Sequence, residues 1–288
     1  MPKSVLVTGA NSGIGLVTAL ELAGAGWEVY GSVRSDSKAQ VVHQAAQECG
    51  VTVHTVRLDV DDAQSCQEAV AEVQERSGGL YALVNNAGYA QSGAVEDVTD
   101  ELVRRQLETN LLAPVRLARL VLPAMRERHR GRIVNISSVA GRLSTPLMGW
   151  YCASKHALEA VTDALRIEVQ SDGVRVVLVE PGMFGTDVWS AAQEGGFPDP
   201  TSARYAAAYA RAESLAGRSD RLPDPVWVAR TVRIALSNPV PLARYVVGVD
   251  AVGGLLAQRL VPTLMVDYVK SVAVGLRRTP LKVPFLPR

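Results

Sequence analysis

Residues 4–15 read SVLVTGANSGIG. A short run rich in β-branched residues meets three glycines, Gly9, Gly13 and Gly15, where an apolar helical pattern begins at Ile14. A glycine in a tight turn tolerates backbone angles that other residues avoid. A second lets the main chain approach a pyrophosphate, and a third lets helix and strand pack closely. The free amides and the dipole at a helix start favour negative charge. Scattered glycines would mark turns only. Here all three fall in the first strand–helix junction, which predicts a dinucleotide site.

The rest of the chain repeats this rhythm. Further strand-like runs occupy 28–33, 51–57, 80–85, 132–137, 175–180 and 244–249. Most lack polar alternation, as strands covered on both faces do. Helical patterns lie between them. One spans 14–25 and is stopped by Gly26. Another runs toward Glu75 from a cap at Asp61 or Asp62. Longer patterns cover 102–125, which Pro123 should kink or end, and 151–170. Repeated β-α-β units predict an α/β, Rossmann-like doubly wound parallel sheet of about seven strands, helices on both faces, in a single domain 1–288. Residues 183–225, with GGFPDP, break the rhythm and suit a substrate loop or lid at the carboxyl edge of the sheet. Residues 253–288 form a C-terminal extension.

Composition narrows the function classes. A chain of 288 residues buries a core without disulfides or metal, and 48% hydrophobic with 20% charged residues excludes a disordered chain. Thirty Lys and Arg against 29 Asp and Glu, net +1, give no electrostatic case for nucleic acid. Cys49, Cys66 and Cys152 are scattered, which suits a reducing compartment. His43, His54, His129 and His156 lie too far apart in sequence for a metal-ligand spacing. No secretory signal opens the chain, and no apolar run reaches the roughly 20 residues of a membrane span. The expectation is a cytoplasmic protein with a small-molecule substrate.

A second chemical signal is independent of the glycines. Tyr151 and Lys155, in YCASK, stand four apart and share one helix face. A nearby ammonium favours the phenolate, which makes proton exchange with an alcohol feasible. Such pairs also arise by chance on amphipathic helices. Upstream, in NISS, Ser138 closes a predicted strand, where its hydroxyl could polarise a carbonyl or simply cap a turn. Ser137 is the neighbouring candidate.

Together these residues resemble the short-chain dehydrogenase/reductase family. TGANSGIG matches its TGxxxGIG pattern, and Ser138, Tyr151 and Lys155 match its Ser–Tyr–Lys constellation with the usual separation. The resemblance implies a fourth catalytic residue, Asn110 in ETNLLAP, which would position a water linking Lys155 to solvent. It implies cofactor contacts at Gly9, Asn11, Ser12, Gly13, Ile14, Gly15, Asp59, Val60, Asn86, Ala87 and Gly88, then at Tyr151, Lys155, Pro181, Gly182 and Thr186. The implied reaction is hydride transfer between a nicotinamide cofactor and a carbonyl or secondary alcohol. In the implied reaction Ser138 holds the oxygen, Tyr151 exchanges the proton, and Lys155 lowers the Tyr151 pKa and holds the nicotinamide ribose.

Cofactor choice turns on the end of the second strand. Val33 stands where NAD enzymes of the family carry an acid, and Arg34 follows. Arg can clamp a phosphate with two parallel donors, which favours NADP(H) and leaves NAD(H) possible. The glycine loop lacks the second basic residue of many NADP-selective relatives. The flavour is that of hydroxysteroid and retinol dehydrogenases, which implies a lipophilic substrate. A general carbonyl reductase is the alternative, and a non-catalytic NADP(H) sensor a weaker one. Met183, Phe184, Trp189, Phe197, Tyr205 and Tyr209 could line a lipophilic pocket or merely pack a lid. The family implies a homodimer or homotetramer through the two long helices, with Leu107, Leu111, Leu158 and Leu165 as candidate contacts. Leu264, Tyr268, Val272 and Leu276 give 263–276 an amphipathic helical pattern before a basic tail. That end could cover the pocket or embrace a subunit, the favoured expectation, or rest on an anionic membrane.

Overall fold

In the computed structural model, residues 3–185, 204–216 and 222–276 are described. Seven parallel strands form one sheet: β1 (Ser4–Val7), β2 (Glu28–Val33), β3 (His54–Arg57), β4 (Ala82–Asn85), β5 (Gly131–Ile136), β6 (Val174–Pro181) and β7 (Arg244–Val247). Their order is β3-β2-β1-β4-β5-β6-β7. The chain winds outward from β1 to β3, crosses back beside β1 as β4, and winds the other way. That reversal opens a crevice at the carboxyl ends of β1 and β4, where doubly wound sheets bind ligands.

Alternation along the strands fills both faces. Val5 and Val7 enter a core with α1 (Gly13–Gly24), α2 (Asp36–Glu48) and α8 (Val226–Ser237). Leu6 and Leu83 enter the opposite core, with α3 (Ala63–Ser77) and α5 (Ala113–Glu127). Asp62 is the residue that caps α3, accepting hydrogen bonds from the amides of Gln64 and Ser65. Gly26, at φ +82°, follows α1 in the left-handed region that glycine favours. α6 (Gly149–Glu168), α7 (Ala206–Ala216), α9 (Val249–Leu260) and α10 (Thr263–Ala273) complete the elements used below.

Three expectations need correction. Residues 51–53 lie outside β3, which pairs with β2 only from His54. The single helix expected over 102–125 is α4 (Asp100–Leu107), a π-helical turn (Glu108–Leu112) and α5. Pro123 sits inside α5, and the helix continues to Glu127. The helices expected on both faces of the sheet include α2, α7, α8 and α9, whose residues carry no helical pattern assigned in the sequence.

Candidate active site

One cavity of about 510 Å³ lies at the carboxyl edge of β1–β6. It gathers Gly9, Asn11, Ser12, Gly13, Ile14, Arg34, Asp59, Val60, Asn86, Ala87, Gly88, Ser138, Tyr151, Lys155, Pro181 and Gly182 from loops far apart in sequence. Thr186, Trp189 and Phe197 fall outside the described residues. Gly15 and Asn110 lie beside the cavity and do not line it.

The glycine turn is built for close approach. Gly9 and Gly13 adopt φ +66° and +51°. A Cβ on Gly15 would stand 2.2 Å from the Gly9 carbonyl oxygen and 2.5 Å from Asn86 Nδ2, so no side chain fits there. Ser12 caps α1 without a side-chain hydrogen bond, and Leu16 N–H is bonded to Ser12 O at 3.1 Å. The preceding first-turn amides lack intrahelical acceptors, as at any helix start, and Gly13 and Ile14 among them line the cavity, where such amides favour an anion. Thr8, which sequence reasoning overlooked, ties this turn to β4. Its Oγ1 accepts the amides of Asn86 and Ala87, both at 2.9 Å, while Asn86 Nδ2 donates to Thr8 O at 2.9 Å. Ser32, also overlooked, accepts the Gly9 amide at 3.1 Å. At the rim Arg34 is exposed and has no ion-pair partner among the described residues. The combined cradle, helix start and free guanidinium fit a phosphorylated dinucleotide.

At the other end stand the candidate catalytic groups. Ser138 lies in extended backbone ahead of a 3₁₀ turn (Val139–Gly141). Its Oγ accepts the Ala140 amide at 3.1 Å. Tyr151 and Lys155 project from successive turns of α6 and are 7% and 6% exposed. Ser138 Oγ donates to Pro181 O at 3.4 Å, and its side chain lowers the Tyr151 pKa, which supports Ser138 rather than Ser137 as the partner of Tyr151. Lys155 Nζ donates to the Ile136 carbonyl at 2.8 Å and lies 6.0 Å from the Tyr151 ring centroid.

The charge balance departs from the expectation that Lys155 depresses Tyr151. Burial pushes the Tyr151 hydroxyl up to about 12, with the Ser138 hydrogen bond pulling it down. Burial drives Lys155 down to about 8, against the attraction of Glu159 one turn away. Desolvation outweighs the Glu159 attraction, so the neutral amine gains. At neutral pH Tyr151 therefore keeps its proton and is a donor.

Asn110 occupies the π-helical turn. Its Nδ2 donates to Tyr89 O at 2.9 Å and to Ser154 Oγ at 3.1 Å, and its Oδ1 accepts the Tyr89 amide at 3.1 Å. The side chain thus fastens the loop after β4 to α6, and its amide has no donor left for a water. π-turns recur at functional sites because the inserted residue turns a side chain off the helical register.

Of the aromatic and apolar candidates after β6, Phe184 lines the cavity and is buried, while Met183 is half exposed. Tyr205 and Tyr209 pack against Ala94 and Leu147, with the Tyr209 hydroxyl donating to Asp97 at 2.6 Å. Those two tyrosines pack a wall and do not line the cavity.

A family model described as short chain dehydrogenase matches residues 3–195. The chain is a short-chain dehydrogenase/reductase. It is an oxidoreductase of alcohol and carbonyl groups. Among relatives of this dehydrogenase/reductase, an "NADPH-dependent 3-dehydrocapnine reductase" of Ornithobacterium rhinotracheale is 35% identical over 274 residues, covering 93% of this chain and 95% of that one. "Retinol dehydrogenase 5" of Homo sapiens is 35% identical over 280 residues, covering 92% and 86%. The crystal structure of a short-chain dehydrogenase from Streptomyces avermitilis superposes with a TM-score of 0.78 at 32% identity, covering 96% and 97%.

Proposed function

We propose that this dehydrogenase/reductase interconverts a lipophilic ketone and its secondary alcohol with NADP(H). The observation that carries the reading is the meeting of Ser138, Tyr151 and Lys155 in one cavity with the glycine cradle and Arg34. NADP(H), when bound, supplies or accepts the hydride. Ser138 hydrogen-bonds the substrate oxygen and stabilises the charge that develops there. Tyr151, protonated at neutral pH, gives its proton to that oxygen in reduction and recovers it in oxidation. Lys155 holds the ribose side and replenishes the proton. Asn110 keeps α6 in register with the loop that carries Gly88. Asn11, Ser12, Ile14, Asp59, Val60, Asn86, Pro181 and Gly182 complete the cofactor contacts.

Arg34 and the relative named for NADPH support the choice of cofactor. Phe184 at the cavity wall and the relative named for retinol, an apolar alcohol, support a lipophilic substrate. Free Cys49, Cys66 and Cys152 support a reducing, cytoplasmic setting. Leu112 in the π-helical turn, with Val161 and Ile167 on α6, is exposed, which supports assembly with a second copy through these long helices.

The test is a ketone and alcohol panel followed at the NADPH absorbance, with NADH in parallel. Tyr151→Phe should cut kcat by about 10²–10⁴-fold while cofactor affinity holds. Near-unchanged kcat would end the proton-transfer assignment.

A further inference from the structure

The last two helices present their apolar stripes outward. On α9, Val252, Leu256 and Leu260 recur every four residues and are all exposed, Leu260 to 77%. On α10, Met265, Val269 and Val272 follow the same helical spacing, with Val269 64% exposed. Ala251 is the one residue of α9 that is buried, and no residue of α10 is. An amphipathic helix at the surface of a folded domain ordinarily turns such a stripe to the core. Contiguous exposed apolar surface of this kind marks a site of interaction. Neither helix contributes to the cavity lining, and residues 277–288, the rest of this end, lie outside the described residues.

Polar contacts hold the hairpin in place with its stripes facing out. Lys270 Nζ donates to Ser144 O at 2.6 Å, and Gln258 Nε2 to Arg142 O at 3.3 Å. Asp250 Oδ2 accepts the Met183 amide at 2.7 Å. Through these contacts α9 and α10 adjoin both the segment leading from Ser138 to Tyr151 and the segment leaving β6.

Charge identifies the occupant. Arg259 and Lys270 balance Asp250 and Asp267 within α9 and α10, and the sequence that follows carries Arg277, Arg278, Lys282 and Arg288 with no acid, although the whole chain is only +1. An apolar helix face followed in sequence by a run of cations suits the boundary of an anionic bilayer, where acyl chains take the stripe and headgroups take the charge.

We propose that the outward face of α9 and α10 docks this protein on an anionic phospholipid surface. Docking sets the substrate end of the cavity beside the phase in which a lipophilic ketone dissolves, and in this respect it rests on the function proposed above.

Flotation of the full chain with phosphatidylcholine vesicles, with and without phosphatidylglycerol, tests it. Vesicles containing phosphatidylglycerol should capture roughly tenfold more protein, and less as salt rises. The double variant Leu256→Glu/Val269→Glu should lose that capture while keeping kcat on a water-soluble ketone without vesicles. Arg277→Gln/Arg278→Gln leaves the apolar face intact and should lower the anionic-over-neutral ratio. Equal recovery with and without either vesicle overturns the proposal. So does a doubled mass by light scattering that Leu256→Glu/Val269→Glu halves, with no vesicle capture, which gives the face to a second copy. Turnover of the soluble ketone is read separately, so failure to dock and failure of the proposed reaction are told apart.

Discussion

The ammonium that the proposed reaction needs is one that the fold holds at a cost, and Lys155→Met should expose that cost. Burial moves Lys155 from the ordinary 10.5 to about 8. At about 1.4 kcal/mol per pH unit, that drop sets roughly 3 kcal/mol against the charged form at neutral pH. The Nζ hydrogen bond to Ile136 O at 2.8 Å is lost in the variant, which returns about 1 kcal/mol. Methionine follows the same path through the protein without a charge, and Glu159 keeps its ion pair with Arg244 at 3.1 Å. Cofactor-free Lys155→Met should therefore be more stable than the parent by roughly 2 kcal/mol at pH 7, while losing turnover. The gap has a defined pH dependence. Between about 8 and 10.5 the unfolded chain holds a proton on Lys155 that the folded protein lacks, so parent stability rises with pH across that window. Tyr151 is common to both proteins and cancels. Urea unfolding of the pair at intervals from pH 6 to 10 reads this directly, as a difference that is full at the acid end and shrinks above about 8. A parent at least as stable as Lys155→Met at pH 7, or a gap that stays constant with pH, refutes the reasoning.

Arg34→Ala should weaken NADPH binding by roughly ten- to a hundredfold and leave NADH almost unchanged, since only the former offers the extra phosphate; fluorescence titration with both cofactors measures it. Gly15→Ala forces a methyl group to within 2.2 Å of the Gly9 carbonyl, so it should cost about 1–3 kcal/mol of stability in urea unfolding and also raise the cofactor Kd. Light scattering at micromolar concentration should give a multiple of 30.8 kDa that Ile167→Glu, on the outer face of α6, reduces; a parent mass of one chain would remove the proposed assembly.

Local rules sufficed wherever the signal was local. The strand at Ser4–Val7, the glycine turn and the start of α1 are legible in residues 4–15, because steric demands on glycine and the first helical turn act over a few residues. The four-residue spacing of Tyr151 and Lys155 likewise survives folding unchanged, since a helix face is set by its own period. The helix α2 escaped notice because only Val42 and Ala46 of its thirteen residues are buried, too few to print a clear apolar period. The π-helical turn at Glu108–Leu112 escaped because one extra residue per turn changes the register without changing the composition.

Other properties exist only once distant segments meet. Thr8 and Ser32 brace the cofactor turn because β1, β2 and β4 lie side by side, which no local spacing announces. The proton affinity of Tyr151 is likewise a tertiary quantity. The sequence put a cation four residues away and implied a lowered pKa, whereas burial in the folded protein raises it. The C-terminal helices divide the two kinds of knowledge most clearly. The amphipathic spacing of α10 is written in residues 263–276, since helical periodicity is a one-dimensional property. Which way the stripe points depends on contacts at Ser144, Arg142 and Met183, 67 to 126 residues away along the chain, and packing geometry over such separations is decided only by the folded whole.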